Sequence, residues 1–138
     1  MVFNSFDKTN KHKLVLLEND KNNGFGYGVN SGIRFAMNDR DCEYLWVINN
    51  DIKMSVNCLN RLVNNSKHDN ILSPGVYDYD NMLRVQSLGC IINPSTLTTK
   101  NILNMENNKI DYLSGVSLFF NRRIIDKIGL FSEKYFMY

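Results

Sequence analysis

The chain lacks most of what would tie it to secretion, to a membrane span or to nucleic acid. Its three cysteines, Cys42, Cys58 and Cys90, lie far apart with no C-x-x-C pair, and an odd count is a poor disulfide framework. A reducing, cytoplasmic setting with three ordinary small buried thiols is the simplest account. No apolar run approaches the ~20 residues that span a bilayer. Met1-Val2-Phe3-Asn4-Ser5 also lacks the basic region and apolar core of a secretory leader. Net charge is only +2, with lysines and arginines scattered rather than gathered in a stripe, so no nucleic-acid partner is expected. The dinucleotide fingerprint G-x-G-x-x-G is missing too, because Gly24, Gly26, Gly28 and Gly32 are out of phase for it.

What remains is the composition of one globular domain, with 138 residues, 43% hydrophobic and 22% charged. Asn recurs from end to end but is interleaved with apolar periodic segments, so it marks no low-complexity tract. The first dozen residues read as a loop or the tail of a helix. Leu14 to Glu18 reads as a short buried strand ending at Asn19. Ser55 is placed to cap a helix with an apolar face of Val56, Leu59, Leu62 and Val63 that packs on a sheet. Further strands are expected at Ile71 to Val76, broken by Pro74-Gly75, at Val85 to Ile92 with a bend at Gly89, and at Tyr112 to Phe120. Residues 93–109 read as a loop. Asn121 should cap a last helix with Ile124, Ile125 and Ile128 inward and Gly129 at its end.

Two stretches point to chemistry. Tyr44 to Ile48 is a run of bulky and β-branched residues that opens directly into Asn49, Asn50 and Asp51. Ligands of open α/β sheets bind beyond the carboxyl ends of strands, where a lone acid such as Asp51 can hold a metal or a diphosphate. The same three residues also suit a plain turn and helix cap. The second stretch is Asn22-Asn23-Gly24-Phe25-Gly26-Tyr27-Gly28-Val29-Asn30-Ser31-Gly32, read as a glycine loop leading to a helix that starts near Asn30. Backbone N–H groups of such a loop can approach a ligand, and a helix start favours phosphate; a flexible connector is the alternative. Strand, glycine loop, helix and strand together form a βαβ unit.

These stretches resemble family 2 glycosyltransferases, in particular the bacterial rhamnosyltransferase-like branch. The likeness spans Leu14 to the end in three segments, the third running from Asp111-Tyr112-Leu113-Ser114-Gly115 through Gly129-Leu130-Phe131-Ser132-Glu133 to Tyr138. It implies an α/β GT-A fold, a single α/β/α sandwich around a mostly parallel sheet. It also implies transfer of a sugar from a nucleotide-diphosphate donor to a bacterial surface polysaccharide or lipid-linked acceptor, with peripheral contact at the inner face of the cytoplasmic membrane. Asp51 matches the last acid of the family's D-x-D element and would hold Mg²⁺ or Mn²⁺ against the diphosphate, with Asn49 where the first acid usually stands. Asn23, Gly24, Gly26 and Asn30 would line the nucleotide side with Asn49 and Asn50, and Gly115 would leave room for a sugar or serve as a close-packed strand glycine.

Departures from the family pattern shape the remaining expectations. Nothing in residues 1–13 matches the family's first strand and nucleotide-binding segment, and the acidic pair that supplies the catalytic base should follow Tyr138. On this reading residues 1–138 are a GT-A domain incomplete at both ends and catalytically silent by itself. Were it active, the base would have to be Asp111, Asp126 or Glu133, although Glu133 belongs to a packing turn. The rival classes are a non-catalytic remnant that binds nucleotide sugar and a sugar-nucleotide nucleotidyltransferase. The latter is disfavoured because the glycine loop lacks the basic residue such loops place on phosphates.

Overall fold

The computed structural model describes residues 5–6, 13–105 and 109–137. Chain contacts divide it into two compact units, Met1–Cys42 with Ile128–Tyr138, and Glu43–Lys127. The first unit is therefore discontinuous, its two segments flanking the second in sequence.

In the first unit, strand β1 (Ser5–Phe6) pairs antiparallel with β2 (Leu14–Val15). The expected loop at the start of the chain thus contains a strand; most of residues 1–13, like Tyr138, lies outside the described residues. The expected buried strand at Leu14 to Glu18 is reduced to two residues, and Leu14 and Leu16 are exposed. Helix α1 covers Phe25–Met37 and so begins five residues before Asn30. Gly26, Gly28 and Gly32 lie within the helix rather than in a loop. Glycine costs ~1 kcal/mol relative to Ala at each helical position, so contacts outside the helix must hold this first turn.

The second unit carries β3 (Tyr44–Ile48), α2 (Cys58–Asn65), β4 (Ile71–Leu72), β5 (Val76–Tyr77), β6 (Val85–Ser87), β7 (Cys90–Asn93), β8 (Thr98–Asn101), β9 (Ser117–Asn121) and all but the last residue of α3 (Arg123–Ile128). Its main sheet has the order β3-β9-β4. β9 runs antiparallel to both neighbours, in register from Tyr44↔Asn121 to Ile48↔Ser117 on one side and at Ile71↔Phe120 and Leu72↔Phe119 on the other. The α/β class stands, but a mostly parallel sheet does not describe these pairings. β3 and β4 run in the same direction and are separated by an opposed strand.

Aromatic residues build the core of this sheet. The Phe119 side chain is 2% exposed, stacks on Tyr44 with ring centroids 5.2 Å apart, and meets the edge of Trp46 at 6.2 Å. The Trp46 indole N–H donates to the hydroxyl of buried Ser117 at 2.9 Å, so the polar atoms of this wall are satisfied.

Four local expectations change. α2 starts at Cys58 with Asn57 as its cap residue, and only Leu62 of the expected apolar face is buried. Val56 lies before the helix and is almost wholly exposed, because Ser55 does not begin the first turn. Residues 93–109 contain β8, which pairs with β7 in a hairpin turned by Asn93, whose carboxamide oxygen accepts from the N–H groups of Ser95 and Thr96. All of β8 is exposed, so no alternation of polarity announces it. Gly115 lies in a turn rather than a strand, since β9 begins only at Ser117. At the last helix, Asn121 caps as expected through Arg123 N–H at 3.0 Å, and Gly129 takes φ 80°, yet Ile128 is exposed.

Candidate functional site

The carboxyl end of β3 gathers four of the residues singled out in the sequence. The ladder extends one step past Ile48, with Asn49 N–H donating to Val116 C=O at 3.0 Å, and Asn50 and Asp51 then form a turn. Because β9 runs antiparallel to β3, its first residues return to the same end of the sheet. Gly115 and Val116 therefore lie beside Asn49. Asn49 is half-buried, whereas Asn50, Asp51 and Gly115 are exposed. Among the described residues no hydrogen bond or ion pair engages the Asp51 carboxylate. The turn reading and the ligand reading are thus compatible: the backbone makes the turn and the exposed acid has no partner among the described residues.

The donor set limits what metal this end could hold. No group of three or more His, Cys, Asp or Glu residues converges on one point among the described residues. Asp51, with the carboxamide oxygens of Asn49 and Asn50 nearby in sequence, makes no all-protein cage. It does fit a hard cation that takes one carboxylate from protein and most of its ligands from phosphate and water.

Within the other unit, the glycine stretch is committed to the segment 131–136. Gly24 caps α1 with φ 92°, and a Cβ there would lie 2.2 Å from the Phe136 carbonyl oxygen; at Gly26 it would lie 2.7 Å from the Ser132 carbonyl oxygen. Phe25 N–H donates to Phe136 C=O at 3.0 Å, and the Gly24 N–H is taken by the Asn22 carboxamide at 3.1 Å. A backbone carbonyl of the chain itself therefore meets the positive end of α1, where a phosphate was expected. Glycine is needed here for chain-on-chain contact.

Asn30 completes this contact. It is 0% exposed, its Nδ2 donates to Phe131 C=O at 2.9 Å and to Glu133 Oε1 at 2.8 Å, and its Oδ1 accepts from Phe131 N–H at 3.0 Å. The side chain acts as a strand partner for Phe131, so it does not line a nucleotide surface. The Asn30 amide, and then the Arg34 guanidinium 2.7 Å away, hold the Glu133 carboxyl below the usual glutamate range. A carboxylate stabilised in that way is a weaker proton acceptor, which suits an anchor better than a general base.

Asn23 lines an open cleft of ≈ 460 Å³ together with Asn22, Tyr27, Glu133, Lys134 and Phe136. Tyr27 and Lys134 were not singled out in the sequence. Tyr27 lies among glycines, and Lys134 joins the cleft only through a segment a hundred positions further on. Among the described residues no helix is long and apolar enough to cross a membrane.

With the geometry in place, comparison with known proteins gives one match. A family model described as Glycosyl transferase family 2 matches residues 2–129. It therefore takes in most of the N-terminal segment to which no motif was assigned. No curated protein and no solved structure matches the chain.

Proposed function

The chain belongs to glycosyl transferase family 2, and from that premise we propose that it transfers a sugar, rhamnose being the first candidate, from a nucleotide-diphosphate donor to a lipid-linked glycan of a bacterial surface polysaccharide at the inner face of the cytoplasmic membrane. The observation that carries this reading is Asp51, an exposed acid just past the carboxyl end of a core strand, two residues beyond the Asn49 N–H that bonds Val116 C=O in the turn at Gly115. On this reading Asp51 and the carboxamides of Asn49 and Asn50 bind and orient the donor diphosphate, and Gly115 leaves space for a sugar ring. A divalent cation, Mg²⁺ or Mn²⁺, would neutralise the leaving diphosphate there.

The test has a binding arm and a turnover arm. Calorimetry of a nucleoside diphosphate with Mn²⁺ should show affinity at least ~10-fold weaker for Asp51→Asn than for the parent chain, because the substitution removes charge but keeps turn chemistry. Equal affinities would sink the assignment. In the turnover arm, labelled sugar moved from donor to lipid-linked acceptor supports transfer. Binding without turnover points to a non-catalytic remnant, and pyrophosphate release to a nucleotidyltransferase.

A further inference from the structure

The loop 78–84, which joins β5 to β6, is built unlike an idle surface connector. Asp78 N–H donates to Arg84 C=O at 3.0 Å, Arg84 N–H to Asn81 C=O at 2.9 Å, and Leu83 N–H to the Asn81 carboxamide at 3.1 Å. The Asp78 carboxylate pairs with Arg84 Nε at 3.2 Å and also accepts from the Gln86 side chain. So much internal bonding fixes the backbone, yet the loop turns its apolar groups outward: Tyr79 is 75% exposed, Met82 77% and Leu83 94%. The loop is also tied to the candidate site. The Lys53 ammonium, two residues beyond Asp51, lies 5.8 Å from the centroid of the Tyr79 ring.

We propose that this loop is the acceptor-binding platform of the site, with Tyr79 receiving a sugar ring on its free face and Met82 and Leu83 receiving the hydrocarbon of a lipid-linked acceptor. A phenol ring offers a flat apolar face, which matches the apolar C–H face of a pyranose, and its hydroxyl is not needed for that contact. The second half of the assignment separates acceptor from donor. A nucleotide-diphosphate sugar is polar throughout and has no use for two exposed aliphatic side chains, whereas a lipid-linked glycan brings a sugar and a chain together. A preformed loop also avoids an ordering cost when the ligand arrives. The inference rests on the transfer reading above and deepens it by naming where the second substrate docks.

The test uses the full chain and three probes: an octyl glycoside kept below its micelle concentration, the matching methyl glycoside, and a nucleoside diphosphate with Mn²⁺. Titration should show the octyl glycoside binding more tightly than the methyl glycoside. Tyr79→Ala should weaken both glycosides about threefold to tenfold, with Tyr79→Phe close to the parent. The double change Met82→Ser with Leu83→Ser should erase only the advantage of the octyl chain. None of these changes should alter nucleoside diphosphate affinity. Unchanged glycoside affinity in Tyr79→Ala, equal loss of nucleotide affinity, or no glycoside binding by the parent chain would each overturn the proposal. Glycoside binding that behaves as described in a chain without sugar transfer would instead count against the transfer reading alone.

Discussion

Two regions of this protein reach burial by opposite means. Around Phe119 the sheet is held by aromatic contact, with Tyr44 stacked on one side and Trp46 edge-on at another. At the start of α1 the buried centre is polar: a single carboxamide, Asn30, takes the N–H and C=O of Phe131 and one carboxylate oxygen of Glu133. Apolar packing is non-directional and tolerates small shifts, whereas a buried carboxamide holds its partners only in one geometry and leaves them stranded when removed. The first region should therefore lose stability in proportion to missing volume, and the second through specific atoms.

The largest effect should come from Phe119→Ala, which opens a cavity in the centre of the β3-β9-β4 sheet and should cost about 3–5 kcal/mol in denaturant unfolding. A loss below about 1 kcal/mol would mean that the aromatic wall does not hold this unit. Next, Asn30→Ala should cost about 2–3 kcal/mol by stranding the Phe131 backbone groups. Amide hydrogen exchange should show protection lost at Phe131 but kept along β9. Uniform loss across both would erase the distinction between the two regions.

The smallest effect is the pH response of the polar region. Glu133 has a lowered folded-state pKa, first through the Asn30 hydrogen bond and then through Arg34, against an ordinary value of 4.5. A depressed carboxyl contributes stability that is present above the unfolded value and disappears as pH falls below it toward the folded value. The stability difference between the parent chain and Glu133→Gln should accordingly exist at pH 7 and shrink below pH ~4.5. Asp69, lowered by Lys127, titrates in the same direction in both proteins and cancels in that difference. A pH-independent difference would remove the charge from the account of this clasp.

How much of this was legible in sequence follows the range of the interactions. The β3 strand and the position of Asp51 at its end could be read because five consecutive bulky or β-branched residues and the polar turn after them are local signals. The cap at Asn121 and the left-handed Gly129 were likewise written in neighbouring residues. The start of α1 was not, because four glycines in nine residues argue against a helix and its partners come from 131–136. Strand direction was misread for the same reason: nothing in the sequence of Ser117–Asn121 says that it will enter between β3 and β4. Asn30 was visible as an unusual residue, but its chemistry fits a ligand contact and a backbone clasp equally until Phe131 is placed beside it.

That placement has a consequence in time. Asn30 and Phe131 are separated by 101 positions, and the whole of Glu43–Lys127 intervenes. During vector synthesis on a ribosome, α1 emerges early, with its glycines unfavourable for helix and with no acceptor for the Phe25 N–H. Its first turn gains its partners only after residues 131–136 have been made, so the contact that closes the first unit must wait until the whole of Glu43–Lys127 has been synthesised. The second unit, continuous in sequence, can assemble before then. A nascent chain that stops at Lys127 and is held clear of the ribosomal exit tunnel by a flexible linker should thus display a β3-β9-β4 sheet beside an α1 whose N-terminal turn is still open.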